Sequence, residues 1–125
     1  MRIFIVDDDQ DCVFLTKRAL RKIRPDCVLE VANDGKQAME LLAKLDPFQL
    51  ILLDLKLPGM GGIEMLQLIK EQKSLEHIPV VVLSSSTMDS DIQQSYDAGA
   101  SKYIHKSHDF GEFTQSLKEV ISTIS

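Results

Sequence analysis

The 125-residue sequence lacks the features that mark membrane, secreted or thiolate-metal proteins. No apolar run approaches the roughly 18 residues that a membrane-spanning helix requires. The N-terminus has no basic stretch followed by an apolar run and a cleavage site, so we expect no signal peptide. The two cysteines, Cys12 and Cys27, form no C-x-x-C pair and have no histidine cluster near them. Reduced thiols in a cytoplasmic protein are therefore expected, and a zinc site is not.

The sequence also has fewer basic than acidic residues, 14 against 19, which gives a formal net charge of −5. That balance argues against nucleic acid or an anionic membrane surface as the direct partner. Internal repeats, low-complexity stretches and linkers are absent, while the apolar share of 44% and the charged share of 26% are ordinary for a soluble globular protein. We therefore expect one domain over residues 1–125, with no output domain.

The segment at Leu50 to Leu53 is a run of four apolar residues that ends in Asp54, as expected for a strand buried on both faces. Similar strands are predicted over residues 2–6, 27–31, 49–53, 80–83 and 101–105. They alternate with helices predicted over residues 10–23, 36–45, 63–72, 89–97 and 109–124. This alternation predicts an α/β fold, a five-stranded parallel sheet with five helices on its two faces.

In the first helix we expect the apolar side to consist of Phe14, Leu15, Ala19, Leu20 and Ile23.

Right-handed crossovers place the carboxyl ends of all the parallel strands at the same edge of the sheet. Three acids reach this edge, Asp7 and Asp8 after the first strand and Asp54 after the third, while Asp9 is placed to cap the first helix. Two carboxylates 4 Å apart repel by about 4 kcal/mol at an effective dielectric constant near 20. A hard divalent cation such as Mg²⁺ relieves that repulsion, since it prefers oxygen ligands.

Two further groups complete the edge, the hydroxyl of Ser84 after the fourth strand and the amine of Lys106 after the fifth. A carboxylate nucleophile, a metal, a lysine and a hydroxyl donor together fit phosphoryl transfer to a carboxylate. Positioning and charge neutralisation account for most of the catalysis in that reaction class.

These residues stand in short motifs that resemble the receiver domain of two-component response regulators. The motifs are Val6-Asp7-Asp8, Leu53-Asp54 with Leu57-Pro58, Leu83-Ser84 and Tyr103-x-x-Lys106, supported by Asp34-Gly35 and Ala98-Gly99-Ala100. They occur in order on the predicted strand ends and extend over essentially the whole chain. The resemblance implies a flavodoxin-like sheet of strand order 2-1-3-4-5.

The resemblance also implies a phosphoacceptor and a magnesium site. Asp54 would accept the phosphoryl group and bind Mg²⁺, and Asp8 would bind the ion directly. Asp7 would act through water or by a hydrogen bond, and Lys56 would bind the ion through its backbone carbonyl. The protein itself would catalyse only its own phosphorylation and slow dephosphorylation.

Three more roles follow from the resemblance. Ser84 would hydrogen-bond the phosphoryl group, Lys106 would pair with it, and Tyr103 would change rotamer together with Ser84 as a switch. Packing alone is the other interpretation of Tyr103. We also hypothesise that Lys56 and Ser86 control the access of water to the phosphoryl group.

The sequence from Ile78 to Ser107 narrows the resemblance to small stand-alone regulators that pair with bacteriophytochrome-type histidine kinases. The expected phosphodonor is such a kinase or a histidine phosphotransfer protein. Output would occur by binding, with a homodimer through the fourth helix, fifth strand and fifth helix as one form.

Ser107 departs from the family, which usually has proline after its lysine. A cis peptide before a non-proline residue costs about 3 kcal/mol, so we predict a trans bond between Lys106 and Ser107. Two alternative functions stay open at this point. One is a receiver-like binding module that never turns over phosphate, and the other is a flavin electron carrier, whose phosphate the acids after the first strand would repel.

Overall fold

The computed structural model describes residues 1–106 and 108–124, which form alternating strands and helices. The strands are β1 (Arg2–Val6), β2 (Val28–Ala32), β3 (Leu50–Asp54), β4 (Val80–Ser84) and β5 (Lys102–His105). The helices are α1 (Gln10–Ile23), α2 (Gly35–Lys44), α3 (Gly62–Glu71), α4 (Asp89–Asp97) and α5 (Phe110–Ile124). Each predicted element is present, and its ends differ from the prediction by no more than one residue.

The strands form one parallel sheet of order β2-β1-β3-β4-β5, which confirms the predicted fold class. In the central pairs Val6 aligns with Leu53, and Asp54 aligns with Leu83. Because every pair is parallel, the carboxyl ends of β1, β3, β4 and β5 lie along one edge. This is the edge at which open α/β sheets place their functional groups.

Side chains alternate along the central strands between two apolar cores. One core lies under α2 and α3 and includes Phe4, Val6, Ile51, Leu53, Val80 and Val82. The other lies under α1 and α5 and includes Ile3, Ile5, Leu50, Leu52, Val81 and Leu83. All five residues of β3 and all five of β4 are buried, as expected for strands covered on both faces.

The predicted apolar side of α1 is wrong for two residues. Phe14 is 65% exposed and Leu15 is 43% exposed, while Val13 and Thr16 are buried with Ala19 and Leu20. Three consecutive positions, 13 to 15, are apolar, so periodicity alone allows more than one inward face. Contact with the sheet and α5 selects the face that contains Val13, because that face continues at three- and four-residue steps to Ala19 and Leu20.

The helices differ in how strongly they are fixed. Asp9 caps α1 as predicted, accepting hydrogen bonds from the amides of Asp11 and Cys12, and Asp34 caps α2. In contrast, Ser95 is the only buried residue of α4, and the N-cap residue of this helix, Met88, makes no side-chain cap. Among the described helices, α4 is therefore the one without a buried apolar side chain, whereas each of the other four has at least two.

Near the start of α5, Phe110 is half-buried and lies against two cations of α1. The guanidinium of Arg18 is 5.5 Å from the centre of its ring, and the ammonium of Lys22 is 5.1 Å away.

Both cysteines are free thiols. The predicted trans bond between Lys106 and Ser107 falls outside the described residues. Within residues 1–106 and 108–124, no helix is long and apolar enough to cross a membrane.

Candidate functional site

Three carboxylates meet at the carboxyl edge of the sheet, where the central strands β1 and β3 end. Asp7, Asp8 and Asp54, together called the acidic cluster, each offer one oxygen within 4.8 Å of the others. Asp7 is 2% exposed and Asp54 is 7% exposed, whereas Asp8 is exposed to solvent. Two buried carboxylates and one exposed carboxylate thus form a cluster of negative charge that solvent reaches at Asp8.

Backbone amides fix the two buried carboxylates. The amide of Asp9 donates to Oδ1 of Asp7 over 3.0 Å, and the amide of Lys56 donates to Oδ1 of Asp54 over 3.3 Å. The side chain of Lys56 is exposed. Each bond comes from the residue two positions after the acid, so the turn that ends each strand also orients its carboxylate.

The loop after Asp54 returns close to the backbone of β3 and requires a glycine. The amide of Gly62 donates to the carbonyl oxygen of Leu55 over 3.0 Å. A Cβ atom at residue 62 would lie 2.5 Å from the carbonyl oxygen of Asp54 and 2.6 Å from Cα of Leu55. At residue 61, also a glycine, a Cβ atom would meet nothing within 4 Å.

Lys106, directly after β5, reaches across the edge to both buried acids. Its Nζ lies 3.0 Å from Oδ2 of Asp7 and 3.4 Å from Oδ2 of Asp54. Burial lowers the pKa of Lys106, but the charges of Asp54 and Asp7 outweigh that effect and raise the pKa above its usual value. Lys106 therefore remains a cation at neutral pH and compensates part of the negative charge.

The compensation is incomplete for Asp54. Burial raises the pKa of the Asp54 carboxyl and the charge of Asp7 raises it further, while Lys106 and the amide of Lys56 lower it. The net direction is upward, so the ionised form is less favourable in the folded protein than in the unfolded chain. A further cation at this edge would relieve that cost.

The acidic cluster suits a hard divalent cation as that further charge. Carboxylate oxygens from three residues are the ligands that such ions prefer, and one of the three faces solvent, which leaves room for water ligands. The chemistry and burial of the residues therefore fit a divalent metal site.

On the other side of the site lie hydroxyl groups from β4 and β5. Ser84 is 1% exposed, and its Oγ accepts a hydrogen bond from the amide of Ser86 over 3.1 Å. The amide of Lys106 donates to the carbonyl of Ser84 over 2.7 Å, which holds the ends of β4 and β5 together. Tyr103 is half-buried, and its hydroxyl donates to the carbonyl of Ser86 over 2.8 Å.

The structure brings the seven residues predicted for the site to this edge, and their chemical roles stay predictions. Sequence reasoning missed Asp91, whose carboxylate accepts a hydrogen bond from the hydroxyl of Ser86. A run of serines after a buried strand, followed by an acid in the next helix, was the available signal. That signal has no fixed spacing, because it depends on the path of the loop.

Comparison with known proteins shows the class to which this site belongs. Residues 3–118 match the response regulator receiver domain family, and the chain belongs to that family. Receiver domains are phosphoacceptor signalling proteins of two-component systems, so this match favours the receiver over the flavin carrier left open above.

The narrower resemblance is also confirmed, because phytochrome response regulators are among the most similar proteins. The phosphorylated cyanobacterial phytochrome response regulator RcpA is 36% identical, with a TM-score of 0.90 over 98% of this chain and 92% of that one. The Mn²⁺-bound structure of response regulator Rcp1 is 31% identical, with a TM-score of 0.85 over 97% of this chain and 91% of that one. In sequence, Rcp1 of Synechocystis is 32% identical over 96% of this chain and 86% of its own length.

Proposed function

We propose that Asp54 accepts a phosphoryl group from a phosphohistidine donor. The observation that supports this most strongly is the position of its carboxylate, buried at the carboxyl edge of the sheet and 3.4 Å from the cation of Lys106. The Asp54 carboxylate combines burial, a neighbouring cation and two further acids at one strand end. Perturbed titratable groups of this kind are typical of functional sites.

In the proposed transfer, an oxygen of Asp54 attacks the phosphorus in line with the departing imidazole nitrogen. The new bond joins phosphorus to oxygen, the bond between phosphorus and nitrogen breaks, and its electron pair returns to the imidazole, which takes up a proton. Lys106 supplies a fixed positive charge for the phosphoryl oxygens, and Ser84 supplies a hydroxyl donor. Such preorganised groups lower the barrier because they need no rearrangement during the reaction.

The divalent ion of the proposed site is Mg²⁺, with Asp8 and Asp54 as direct ligands, Asp7 acting through water and Lys56 through its carbonyl. When bound, the ion would neutralise the acids and the phosphoryl oxygens and so permit two anions to approach each other. The three clustered carboxylates support this assignment. The Mn²⁺-bound structure of Rcp1 supports a divalent ion in a relative.

A histidine kinase of the phytochrome type, or a phosphotransfer protein, is the proposed donor. The likeness to regulators described as phytochrome or bacteriophytochrome response regulators supports this choice. We infer that residues 1–125 act as one domain, because both apolar cores pack on the same sheet. Signalling would then occur through binding to a partner or to a second copy across α4, β5 and α5, without turnover of another substrate. A cytoplasmic location stays a prediction.

Incubation with acetyl phosphate and Mg²⁺, followed by mass spectrometry of the intact protein, tests the proposal. We expect the mass of one phosphoryl group on the wild type and none on Asp54→Asn. Asp46→Asn, which changes an exposed acid at the opposite end of β3, is the matched control and should label as the wild type does. Absence of label on the wild type would favour the binding module that never turns over phosphate. Equal label on Asp54→Asn would place the acceptor elsewhere.

A further inference from the structure

Ser86 uses all of its polar groups to join three parts of the structure. Its amide donates to Oγ of Ser84, and its carbonyl accepts from the hydroxyl of Tyr103. Its own hydroxyl donates to the carboxylate of Asp91 in the first turn of α4. We call these four residues, Ser84, Ser86, Asp91 and Tyr103, the Ser86 junction. Both residues that the resemblance assigns to the switch thus bond to the same third residue.

The junction also supplies what α4 lacks. The amide of Met88, at the N-cap position, donates to Oγ of Ser86 over 3.2 Å, although Met88 itself provides no cap. The same hydroxyl therefore accepts from the start of α4 and donates to Asp91 one turn later. Because α4 has no buried apolar side chain, these two bonds help to fix its first turn to the loop.

The bond to Asp91 is the charged member of the junction. Hydrogen bonds to ionised carboxylates are shorter and roughly twice as strong as those between neutral groups. Fixing Oγ of Ser86 in this way also fixes the backbone of the same residue. The amide of Ser86 then occupies one lone pair of the Ser84 oxygen, and a hydroxyl that accepts such a bond can still donate its own proton to a phosphoryl group.

We propose that Asp91 and Ser86 are positioning residues for the phosphoryl site. The carboxylate of Asp91 holds Ser86 in place, and Ser86 makes the Ser84 hydroxyl and the Tyr103 side chain respond together when the acceptor is occupied. This inference depends on the function proposed for Asp54. It assigns the Ser86 hydroxyl to Asp91 and Met88, where the sequence had suggested control of water access.

Beryllofluoride, a mimic of the phosphoryl group, provides the test when it is titrated into the protein with Mg²⁺. NMR signals of ¹³C-labelled tyrosine rings report occupancy and the surroundings of Tyr103, and Tyr103→Phe identifies its signal. We expect Asp91→Ala and Ser86→Ala each to weaken binding about tenfold, the effect of losing one charge-assisted hydrogen bond. The Tyr103 signal in both variants should change less on saturation than it does in the wild type.

Three further variants separate coupling from general effects. Asp89→Ala removes the same charge from the same helical turn, and because Asp89 is exposed it should bind within about twofold of the wild type. Ser86→Thr keeps a hydroxyl and should therefore retain most of the wild-type affinity for beryllofluoride, unlike Ser86→Ala. The double variant of Ser86→Ala and Asp91→Ala should bind no more weakly than the weaker single variant, because the two residues act through one bond.

The outcomes distinguish this inference from the proposed function. If the wild type itself does not bind beryllofluoride, the phosphoryl site is wrong and the proposed function fails with it. If the wild type binds, the inference alone is overturned by either of two results. One is that Asp91→Ala binds as tightly as the wild type with the same change in the Tyr103 signal, and the other is that the two single losses add in the double variant.

Discussion

The acidic cluster and the Ser86 junction lie side by side at the carboxyl edge of the sheet and are held in place by different forces. In the acidic cluster, buried strand ends bring like charges together, and Lys106 compensates part of their repulsion. In the junction, hydrogen bonds among a tyrosine, serines and one acid position groups on a loop and a weakly packed helix. The acidic side thus needs an external cation, whereas the groups on the hydroxyl side are held by hydrogen bonds within the protein.

Removing Lys106 should have the largest effect, because it leaves two buried acids without their cation. Loss of one member of a fully buried pair costs about 3–5 kcal/mol, and the partial exposure of Lys106 reduces this. For Lys106→Met we expect a loss of about 2–3 kcal/mol in the free energy of unfolding, measured by urea denaturation without metal. Mg²⁺ should recover part of the loss, since it adds positive charge to the same acids.

Lys102→Met is the control for this comparison, because Lys102 lies in β5, the strand directly before Lys106, with an exposed side chain, and its loss should cost less than about 0.5 kcal/mol. Equal losses for the two lysine variants would show that Lys106 does not compensate the acidic cluster.

Gly62→Ala should have the next largest effect and tests how rigidly the acidic side is built. The added Cβ atom would meet backbone atoms of Asp54 and Leu55, which cannot move without shifting the acceptor. Overpacking of this kind costs about 1–3 kcal/mol, and we expect about 2 kcal/mol together with slower phosphorylation by acetyl phosphate. Gly61→Ala, where φ is −70° and no atom is near, should leave stability unchanged or raise it slightly. Similar losses at both glycines would mean that the loop adjusts freely.

The predictability of the site from sequence differs between its two sides. Asp54 follows an uninterrupted apolar run, and parallel topology alone brings it to Asp7 and to Lys106, which is 99 positions from Asp7 in the chain. The bond from Ser86 to Asp91 depends instead on how a loop folds, and no periodicity encodes that path. Phe14 shows the same limit in a helix, since its apolar neighbours allowed the wrong inward face. Patterns that repeat along the chain were predictable, while contacts set by loop geometry or by competition between faces were not.

Asp54→Asn should stabilise the metal-free protein, in contrast to the two losses above. Its carboxyl pKa is raised by burial and by Asp7, so the ionised form costs free energy in the folded state, and asparagine resembles the neutral form. The cost is fully present above the raised pKa and disappears as pH falls below the ordinary value of 3.8. We therefore expect Tm to rise by roughly a few degrees at pH 7 in EDTA, with little difference near pH 3.

With Mg²⁺ present, the wild type should have the higher Tm, because the ion should stabilise the wild type more than it stabilises Asp54→Asn. A lower Tm for Asp54→Asn in EDTA at pH 7 would show that Lys106 already compensates the carboxylate in full.

Tyr103→Phe should have the smallest effect on the free energy of unfolding, and it tests directly whether the Ser86 junction is independent of the acidic cluster. It removes a half-buried hydroxyl that donates to the carbonyl of Ser86, and a hydrogen bond of this kind contributes about 1 kcal/mol. Tyr96→Phe, which removes a more exposed hydroxyl that accepts from the amide of Tyr103, should cost less. In urea denaturation with and without Mg²⁺, the stabilisation by the ion should equal that of the wild type in both variants, because the acidic cluster is intact. If Tyr103→Phe reduces the stabilisation by Mg²⁺, the acidic cluster and the Ser86 junction are coupled even without a phosphoryl group and are not held in place independently.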